Sequence, residues 1–273
     1  MKSFLLVPNF KRNSLPFAKE AIEFLHKRGC RVYCQKEDKD LLNVEVCVDP
    51  SQVDCILVFG GDGTMLKTIK KYLSEKKPFA GINTGKVGYL ADIEPENTQS
   101  ALDQILKGNY FTEERATLCV RQNDTVRVGV NEAVLHRASA HVLGVEISVN
   151  GQRIEPVRAD GILVATPTGS TAYNLSAGGP ILLPTSKSLV ITPICAHSLS
   201  VRPIVIGQED VATLSVKSAD VSAFVSIDGE NAEPLAQDEQ IDISVSKETF
   251  TLLRLSEGGF FTVLRNKLST WEQ

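Results

Sequence analysis

The sequence predicts an α/β domain followed by an all-β domain. Over the first ~110 residues, strand and helix patterns alternate, which is typical of a parallel sheet covered by helices. From Thr117 onward, short β-branched runs separated by turn signals favour a β-sandwich. We therefore expect a Rossmann-like α/β domain in residues 1–115 and an all-β domain in residues 116–255. A helical tail, residues 256–273, is expected to return to the first domain.

In the first domain, hydrophobic periodicity and turn residues place the elements in order. Strands are expected at residues 4–7, 31–35, 44–48, 53–59 and 78–82. Helices are expected at residues 17–28, 66–73 and 97–107, and Gly29 and Gly108 stand where the first and last of these should end. In the second domain, strands are expected at residues 118–121, 125–130, 142–149, 161–165, 189–192, 211–216, 223–227, 240–245 and 249–255. Asn150-Gly151 and Asp228-Gly229 are hairpin-turn signals, and the tail is expected to be helical over residues 260–271.

Composition excludes several classes of protein. The 273 residues are 42% hydrophobic with a net charge of −4, which argues against binding nucleic acid or an anionic membrane surface. No apolar run approaches the ~20 residues of a membrane-spanning helix. Pro8-Asn9 ends the short apolar run at the N-terminus, so we interpret that run as a strand and not as a signal peptide. The six scattered cysteines favour free thiols in a reducing compartment, the cytoplasm.

A glycine-rich turn, Gly60-Gly61-Asp62-Gly63-Thr64, lies between a predicted strand and a predicted helix. Glycines let the backbone approach a ligand closely, and a helix N-terminus offers N–H groups and a positive dipole end to a phosphate. A carboxylate inside such an anion-binding turn suggests a chemical role for Asp62. Asp62 or Thr64 could equally be an ordinary helix N-cap, and the loop alone does not decide between the two.

Three further stretches are polar where a core strand would end. Residues 83–88 follow a buried strand and should lie at the same sheet edge as Asp62, although a tight turn explains them as well. Asn131-Glu132 offers an amide that can pair with an adenine edge and a carboxylate that can accept from ribose hydroxyls, but such a pair is also common in turns. Residues 158–180 combine hydroxyls, glycines and Tyr173, which suits sugar and phosphate groups better than a core.

Together these motifs resemble the bacterial NAD kinases. The motifs occur in the family's order over most of the chain: Gly60-Gly61-Asp62-Gly63-Thr64, Asn83-Thr84-Gly85 with Gly88-Tyr89-Leu90, Asn131-Glu132-Ala133, Asp160-Gly161 and Thr166-Pro167-Thr168-Gly169-Ser170-Thr171-Ala172-Tyr173. The glycine loop alone is less specific, because diacylglycerol and sphingosine kinases share it and phosphofructokinases have a similar one. The later motifs are much more specific.

The resemblance implies an enzyme that phosphorylates the 2′-hydroxyl of the adenosine ribose of NAD to give NADP. ATP or another phosphoryl donor would be used with a divalent metal, Mg²⁺, whose protein ligands the sequence does not indicate. Asp62 would be the general base. The phosphate-binding loop would be Gly60, Gly61, Gly63 and Thr64. The residues implied to bind NAD are Asp62, Gly63, Lys67, Asn131, Glu132, Arg158, Asp160, Thr171, Ala172, Tyr173, Asn174, Leu175 and Ser176.

The resemblance also implies a homodimer or homotetramer, in which the β domain of one subunit completes a neighbour's NAD site. The sequence departs from the family's pattern at four places. Val87 and Tyr89 stand where Leu and Phe are usual, Cys195-Ala196 replaces Ala-Pro, and Glu230 replaces Gln. No binding role is carried over to Glu230.

Other functions make different demands on the sequence. A lipid kinase with the same loop would have a lipid-sized apolar pocket and would leave Asn131-Glu132 and residues 166–173 unexplained. An NAD-dependent oxidoreductase requires a Gly-x-Gly-x-x-Gly fingerprint at the first helix, where residues 8–12 contain no glycine. A non-catalytic NAD sensor would have no use for Asp62.

Overall fold

The computed structural model describes residues 1–85, 88–138, 140–154, 156–217, 222–256 and 259–269. The chain forms two compact units. The first unit contains Met1–Glu114 and the C-terminal segment from Phe250, and the second contains Arg115–Thr249. The expected fold class, an α/β sheet followed by antiparallel β-structure, is confirmed.

The first unit is built on parallel strands in the order β3-β2-β1-β4-β5. The strands are β1 (Ser3–Pro8), β2 (Arg31–Cys34), β3 (Glu45–Val46), β4 (Cys55–Phe59) and β5 (Phe79–Ile82). The helices that accompany them are α1 (Leu15–Lys27), α2 (Lys39–Leu42), α3 (Asp62–Tyr72) and α4 (Thr98–Lys107). Every residue of β1, β4 and β5 is buried, as expected for strands in the centre of a parallel sheet.

The helix ends follow the glycine signals of the sequence. Gly29, just past α1, and Gly108, just past α4, have φ of 73° and 80°, the left-handed conformation that favours glycine. Helix α2 was not expected from the sequence, and α3 begins at Asp62, four residues before its predicted start at residue 66. The buried positions of α3 start only at Met65, which is why the apolar pattern of the sequence did not include its first turn. The remaining turns of 3₁₀-helix are Phe10–Arg12, Lys36–Asp38, Pro50–Gln52, Leu73–Glu75, Pro95–Asn97 and Gly169–Thr171.

The second unit contains antiparallel strands, most of which contribute to one apolar core, and residues 111–114 of the first of them belong to the first unit. The strands are β6 (Phe111–Gln122), β7 (Thr125–Gly129), β8 (Glu132–Arg137), β9 (Leu143–Val149), β10 (Gln152–Arg153), β11 (Val157–Ala159), β12 (Gly161–Ala165), β13 (Leu189–Ile194), β14 (Ile204–Ile206), β15 (Val211–Val216), β16 (Ala223–Ile227) and β17 (Glu230–Leu235). One sheet has the order β14-β13-β12-β8-β16-β17, and β9 pairs with β10, β11 and β15 in the other. A short helix, α5 (Tyr173–Ser176), follows β12. Both hairpin turns are confirmed, because Asn150, Gly151, Asp228 and Gly229 all have positive φ.

The last strand, β18 (Gln240–Arg254), replaces the two strands expected at residues 240–245 and 249–255. Its first part pairs antiparallel with β15, and Leu252 pairs in parallel with Phe79 of β5. Helix α6 (Gly259–Ser269) follows it in the first unit. The residues predicted to extend this helix to 271 lie outside the described residues. Within the described ranges, none of the helices combines the length and apolarity needed to cross a membrane.

Candidate active site

The glycine loop connects the end of β4 to the start of α3, as the sequence predicted. Gly60 must be a glycine, because a Cβ there would lie 2.5 Å from Thr64 Oγ1. Gly61 occupies the N-cap position of α3, and no side chain makes a cap hydrogen bond there in the described part of the chain. The capping interpretation of Asp62 and Thr64 was therefore wrong, and Asp62 is the first residue of the helix itself.

The carboxylate of Asp62 is held by backbone N–H groups of the loop that follows β5. Oδ2 accepts from Tyr89 N at 2.8 Å, and Oδ1 accepts from Leu90 N at 2.9 Å and from Ala91 N at 3.3 Å. Gly88 allows this approach, because a Cβ at that position would lie 2.1 Å from Asp62 Oδ1. The two loops thus meet at the carboxyl edge of neighbouring strands β4 and β5. Lys86 and Val87 of the same motif lie outside the described residues.

The residues around Asp62 form a cleft of about 930 Å³ within the first unit. It is lined by residues 8–11 and 61–64 together with Lys67, Gly88 and Lys267. The charged residues of this lining are Asp62, Lys11, Lys67 and Lys267. Three lysines and a helix N-terminus around one carboxylate suit a polyanionic ligand such as a polyphosphate.

Residues 8–11 and Lys267 line the cleft but were missed from the sequence. Asn9, after β1, donates from Nδ2 to Thr64 Oγ1 at 2.9 Å, and its backbone N donates to Phe59 O at 2.8 Å. Lys267 comes from α6, and its Nζ lies 4.0 Å from Asp62 Oδ2. The sequence predicted that the tail returns to the first domain, but nothing in it indicated which residue of the helix would reach the cleft.

In the second unit, Asn131 and Glu132 are positioned by Asp228. The carboxylate of Asp228 accepts from Val130 N at 3.0 Å, from Asn131 N at 2.7 Å and from Glu132 N at 3.2 Å. Thr166 N donates to Asn131 O at 2.8 Å, and a Cβ at Gly169 would lie 2.1 Å from the same oxygen. The Asn131-Glu132 motif and the start of the hydroxyl-rich segment are therefore in direct contact.

The side chains of Asn131 and Glu132 are incompletely satisfied. Among the described residues, the buried atoms Asn131 Oδ1 and Glu132 Oε2 have no hydrogen-bond partner. Burial, reinforced by the nearby charge of Asp228, raises the pKa of Glu132 to about 7. Buried polar atoms without partners are rare in folded proteins, and two of them on consecutive residues indicate a ligand site better than a plain turn.

The segment from Thr166 to Pro180 is held by hydrogen bonds of the Asn174 side chain. Asn174 is fully buried, donates to Ser170 O at 3.1 Å and Pro180 O at 3.0 Å, and accepts from Thr192 Oγ1 at 2.6 Å. Tyr173 is exposed, and Thr171, Ala172, Leu175 and Ser176 all keep some solvent access. Asn174 thus holds a short turn that presents its neighbours to solvent.

The remaining predicted residues lie on β11 and at its end. Arg158 is exposed on β11, and Asp160 pairs with Arg137 Nε at 2.7 Å. Arg137, on β8, was missed because its link to Asp160 depends on the register of β8 with β12. Cys195 is exposed with φ of 48°, and Glu230 begins β17. Of the NAD-site residues predicted from the sequence, Asp62, Gly63 and Lys67 belong to the first unit and the others belong to the second.

Comparison with known families matches both units. Residues 4–110 match the ATP-NAD kinase N-terminal domain, and residues 130–255 match the ATP-NAD kinase C-terminal domain. The chain belongs to the ATP-NAD kinase family. It is accordingly an enzyme, a transferase that phosphorylates NAD at the expense of ATP and so serves NADP biosynthesis.

Individual members of this family are similar to this chain over most of its length. The NAD kinase of Lachnoclostridium phytofermentans is 34% identical, covering 98% of this chain and 99% of that protein. The NAD kinase of Methanothermobacter thermautotrophicus is 41% identical, covering 79% of this chain and 76% of that protein. The crystal structure of an NAD kinase from Archaeoglobus fulgidus in complex with ATP has a TM-score of 0.78 at 25% identity, over 98% of this chain and 99% of that one. Yeast NADH kinase complexed with NADH has a TM-score of 0.84 over 98% of this chain and 88% of that one, and at 21% identity it shows the fold alone.

Proposed function

We propose that this ATP-NAD kinase transfers the γ-phosphoryl group of ATP to the 2′-hydroxyl of the adenosine ribose of NAD, with Asp62 as the general base. The observation that carries the proposal is the fixed carboxylate of Asp62, held by three N–H groups inside a cleft lined with lysines. A ribose hydroxyl is a poor nucleophile until a positioned group takes its proton. Each carboxylate oxygen has two lone pairs, so the bonds from the backbone still leave room for a ribose hydroxyl.

In the proposed reaction, the 2′-oxygen forms a bond to the γ-phosphorus while the bond from that phosphorus to the β,γ-bridging oxygen breaks. The proton of the hydroxyl passes to Asp62, and ADP leaves. Phosphoryl transfer depends mainly on alignment and on neutralising charge around the phosphate. The proposed phosphate-binding loop, Gly60, Gly61, Gly63 and Thr64, leads into the N-terminus of α3, and with the ammonium of Lys67 it is suited to that task. The N–H groups of Gly60 and Thr64 donate to Ile82 O and Gly61 O, so those of Gly61 and Gly63 are the candidates for the phosphate.

We propose that residues of the second unit bind the rest of NAD. Asn131 Oδ1 and Glu132 Oε2 are candidates for polar contacts with adenosine, because both are buried and without a partner in the described structure. Tyr173 is exposed and can stack on a base, and Arg158 can pair with a phosphate. Asn174 is buried, so its role in NAD binding would be indirect: its hydrogen bonds hold the turn that carries Tyr173 and the neighbouring residues. The solved NAD kinase complexed with ATP supports ATP as the second substrate.

The metal of the proposed reaction is Mg²⁺. The described residues contain no group of three or more His, Cys, Asp or Glu side chains placed to hold an ion. A single carboxylate, Asp62, lines the cleft, and this fits Mg²⁺, which commonly takes its ligands from substrate phosphates and water beside one or two carboxylates. When bound, the ion would neutralise charge on the phosphates.

We also propose that the chain works as a homodimer or homotetramer in the cytoplasm. All six cysteines are free thiols in the structure, which supports a reducing compartment. The edge strand β14 carries exposed apolar side chains, which supports association of subunits.

The proposal is tested by a coupled assay of NADP formation with the wild type, Asp62→Asn and the control Asp103→Asn. Asp103 lies on α4 and forms exposed ion pairs away from the cleft. We expect Asp62→Asn to lose at least about 100-fold in kcat, the usual contribution of a general base, while its NAD dissociation constant stays close to that of the wild type. Full activity of Asp62→Asn would refute the role of Asp62 as the general base. A folded wild type that binds NAD but makes no NADP would indicate a sensor.

A further inference from the structure

The side chain of Thr64, on the first turn of α3, is held by Asn9 from the segment after β1. Asn9 Nδ2 donates to Thr64 Oγ1 at 2.9 Å, and the backbone N of Asn9 donates to Phe59 O at the end of β4, at 2.8 Å. Gly60 leaves room for the threonine, because a Cβ at that position would lie 2.5 Å from the same Oγ1. A contact across 55 positions of the sequence thus fixes this hydroxyl.

The hydroxyl of Thr64 keeps its proton for a ligand. A hydroxyl has one proton and two lone pairs, and Thr64 Oγ1 accepts the hydrogen of the Asn9 amide. Within the described ranges, no protein group accepts a hydrogen bond from Thr64 Oγ1. Thr68, one turn further along α3, differs, because its Oγ1 donates to Thr64 O at 2.8 Å. The backbone N–H of Thr64 donates to Gly61 O, so Thr64 is suited to bind a ligand through its hydroxyl.

The surroundings of Thr64 indicate what that ligand is. Thr64 and Lys67 are three positions apart on α3, which places them on the same face of the helix, and both line the cleft beside Asp62. A hydroxyl donor next to a cation suits an anionic oxygen, because hydrogen bonds to an ionised acceptor are about twice as strong as those between neutral groups. A phosphate offers several such oxygens.

We infer that Thr64 donates a hydrogen bond to a phosphate of ATP, and that Asn9 is the positioning residue that orients its hydroxyl. The inference rests on the proposed function, because that function brings ATP into this cleft. A helical threonine populates two χ1 rotamers, and the bond from Asn9 restricts Thr64 to one of them. The hydroxyl is therefore in place before the nucleotide binds, and the cost of ordering it is paid in the folded protein.

The first test measures the dissociation constant of ATP with Mg²⁺, without NAD, by titration calorimetry on the full chain. Thr64→Val removes the hydroxyl and should raise this constant about 10-fold, because a hydrogen bond to a charged group is lost. Thr64→Ser keeps a hydroxyl and should bind ATP more tightly than Thr64→Val. Asn9→Ala should also weaken ATP binding, and the dissociation constant of NAD should stay close to the wild-type value in all three variants.

A double-mutant cycle separates positioning from a general structural role of Asn9. If Asn9 acts through the hydroxyl, Asn9→Ala should weaken ATP binding no further once Thr64→Val is present. The controls are Thr68→Val, which removes a hydroxyl bonded within α3, and Asn109→Ala, which removes an exposed amide outside the cleft lining. Both controls should bind ATP as the wild type does.

A crystal structure of the wild type with ATP and Mg²⁺ does not depend on a variant folding. It should place a phosphate oxygen within about 3 Å of Thr64 Oγ1, with the bond from Asn9 retained. Phosphates out of reach of Thr64, or Thr64→Val with wild-type affinity for ATP, would overturn the inference. Fully additive effects in the cycle would overturn the role of Asn9.

Failure of the proposed function gives different results. A wild type that binds ATP through Thr64 but forms no NADP, or an Asp62→Asn variant with full activity, would overturn the proposed function and leave the role of Thr64 in place. A wild type that does not bind ATP would overturn both.

Discussion

At the scale of single residues, the unusual features at the start of β8 are the unsatisfied atoms Asn131 Oδ1 and Glu132 Oε2 and a carboxyl group, that of Glu132, whose pKa is raised. Glu132 is 8% exposed, and its Oε2 lacks a hydrogen-bond partner in the described structure. An ionised carboxylate in such a place costs free energy that a bound ligand with hydroxyl donors can offset. The buried carboxyl group of Glu132 is therefore expected to lower the free energy of unfolding of the ligand-free protein and to contribute to ligand binding.

The raised pKa of Glu132 predicts a contribution to the free energy of unfolding that depends on pH, and Glu132→Gln should remove that contribution. The pKa of Glu132 is about 7 in the folded protein, against an ordinary value of 4.5. Below pH 4.5 the group is protonated in both states. Between pH 4.5 and 7 the unfolded chain loses its proton first, so the free energy of unfolding falls as the pH rises, by about 3 kcal/mol in total. Above pH 7 this contribution no longer changes.

Urea unfolding from pH 4.5 to 7.5, without ligand, measures the effect as the difference between the wild type and Glu132→Gln. That difference should shift in favour of the variant as the pH rises. Glu209→Gln, at an exposed position of the same unit, is the control and should follow the wild type. Wild-type and Glu132→Gln stabilities that run parallel over this range would show that Glu132 ionises normally in the folded protein.

At the scale of elements, the sequence pattern predicted the bounds of those strands that are marked by a continuous apolar run. The strands at residues 161–165, 211–216 and 223–227 have the bounds expected from their apolar runs. Strand β18 was divided in two because residues 246–248 are polar, yet exposed polar residues can continue a paired strand. Asp228 was predicted as a turn residue, but its side chain also holds Asn131 and Glu132, a contact between residues almost 100 positions apart. No local pattern encodes such contacts.

Arg254, the last residue of β18, binds the loop whose backbone N–H groups hold Asp62. Its guanidinium donates to Tyr89 O at 2.9 Å and to Leu90 O at 3.1 Å, and it pairs with Asp92 at 3.0 Å and Glu113 at 3.1 Å. Its side chain is only 11% exposed. The peptide units whose carbonyls it binds are part of the loop whose N–H groups hold Asp62.

Arg254→Met should therefore damage both stability and catalysis. Removing the guanidinium leaves Asp92 and Glu113 without this partner, and breaking a largely buried ion pair costs about 3 kcal/mol. The loop is then less fixed, so kcat should fall at temperatures where the variant is fully folded, by about 10-fold or more. Urea unfolding and steady-state kinetics measure the two effects.

Arg254→Lys separates charge from geometry, because lysine keeps the charge but cannot reproduce the planar donor fork. It should recover part of the stability and less of the kcat. Arg28→Met, which removes an arginine paired with Asp103 at the surface, is the control and should change neither quantity appreciably. A folded Arg254→Met with wild-type kcat would show that the loop positions Asp62 without this residue.

At the scale of the whole molecule, strand β14 marks the surface where subunits should meet. In the described part of the chain it pairs with β13 alone, which makes it an edge of its sheet. Val205 on this strand is 50% exposed, and Leu199 shortly before it is 94% exposed. An unpaired edge with apolar side chains is a template for association with another chain, and in a homo-oligomer that chain is a second copy.

Substitution of Val205 by lysine tests this surface, because a charge on an edge strand opposes strand-to-strand and apolar association. By sedimentation velocity, the wild type should be a dimer or tetramer and Val205→Lys should shift toward the monomer. If a neighbouring subunit completes the NAD site, the KM for NAD should rise in the same variant while its thermal unfolding temperature changes little. The matched control is Val126→Lys, since Val126 is 51% exposed on β7 of the same unit. An active monomeric wild type would refute the oligomer itself, and dissociation by Val126→Lys but not by Val205→Lys would place the interface away from β14.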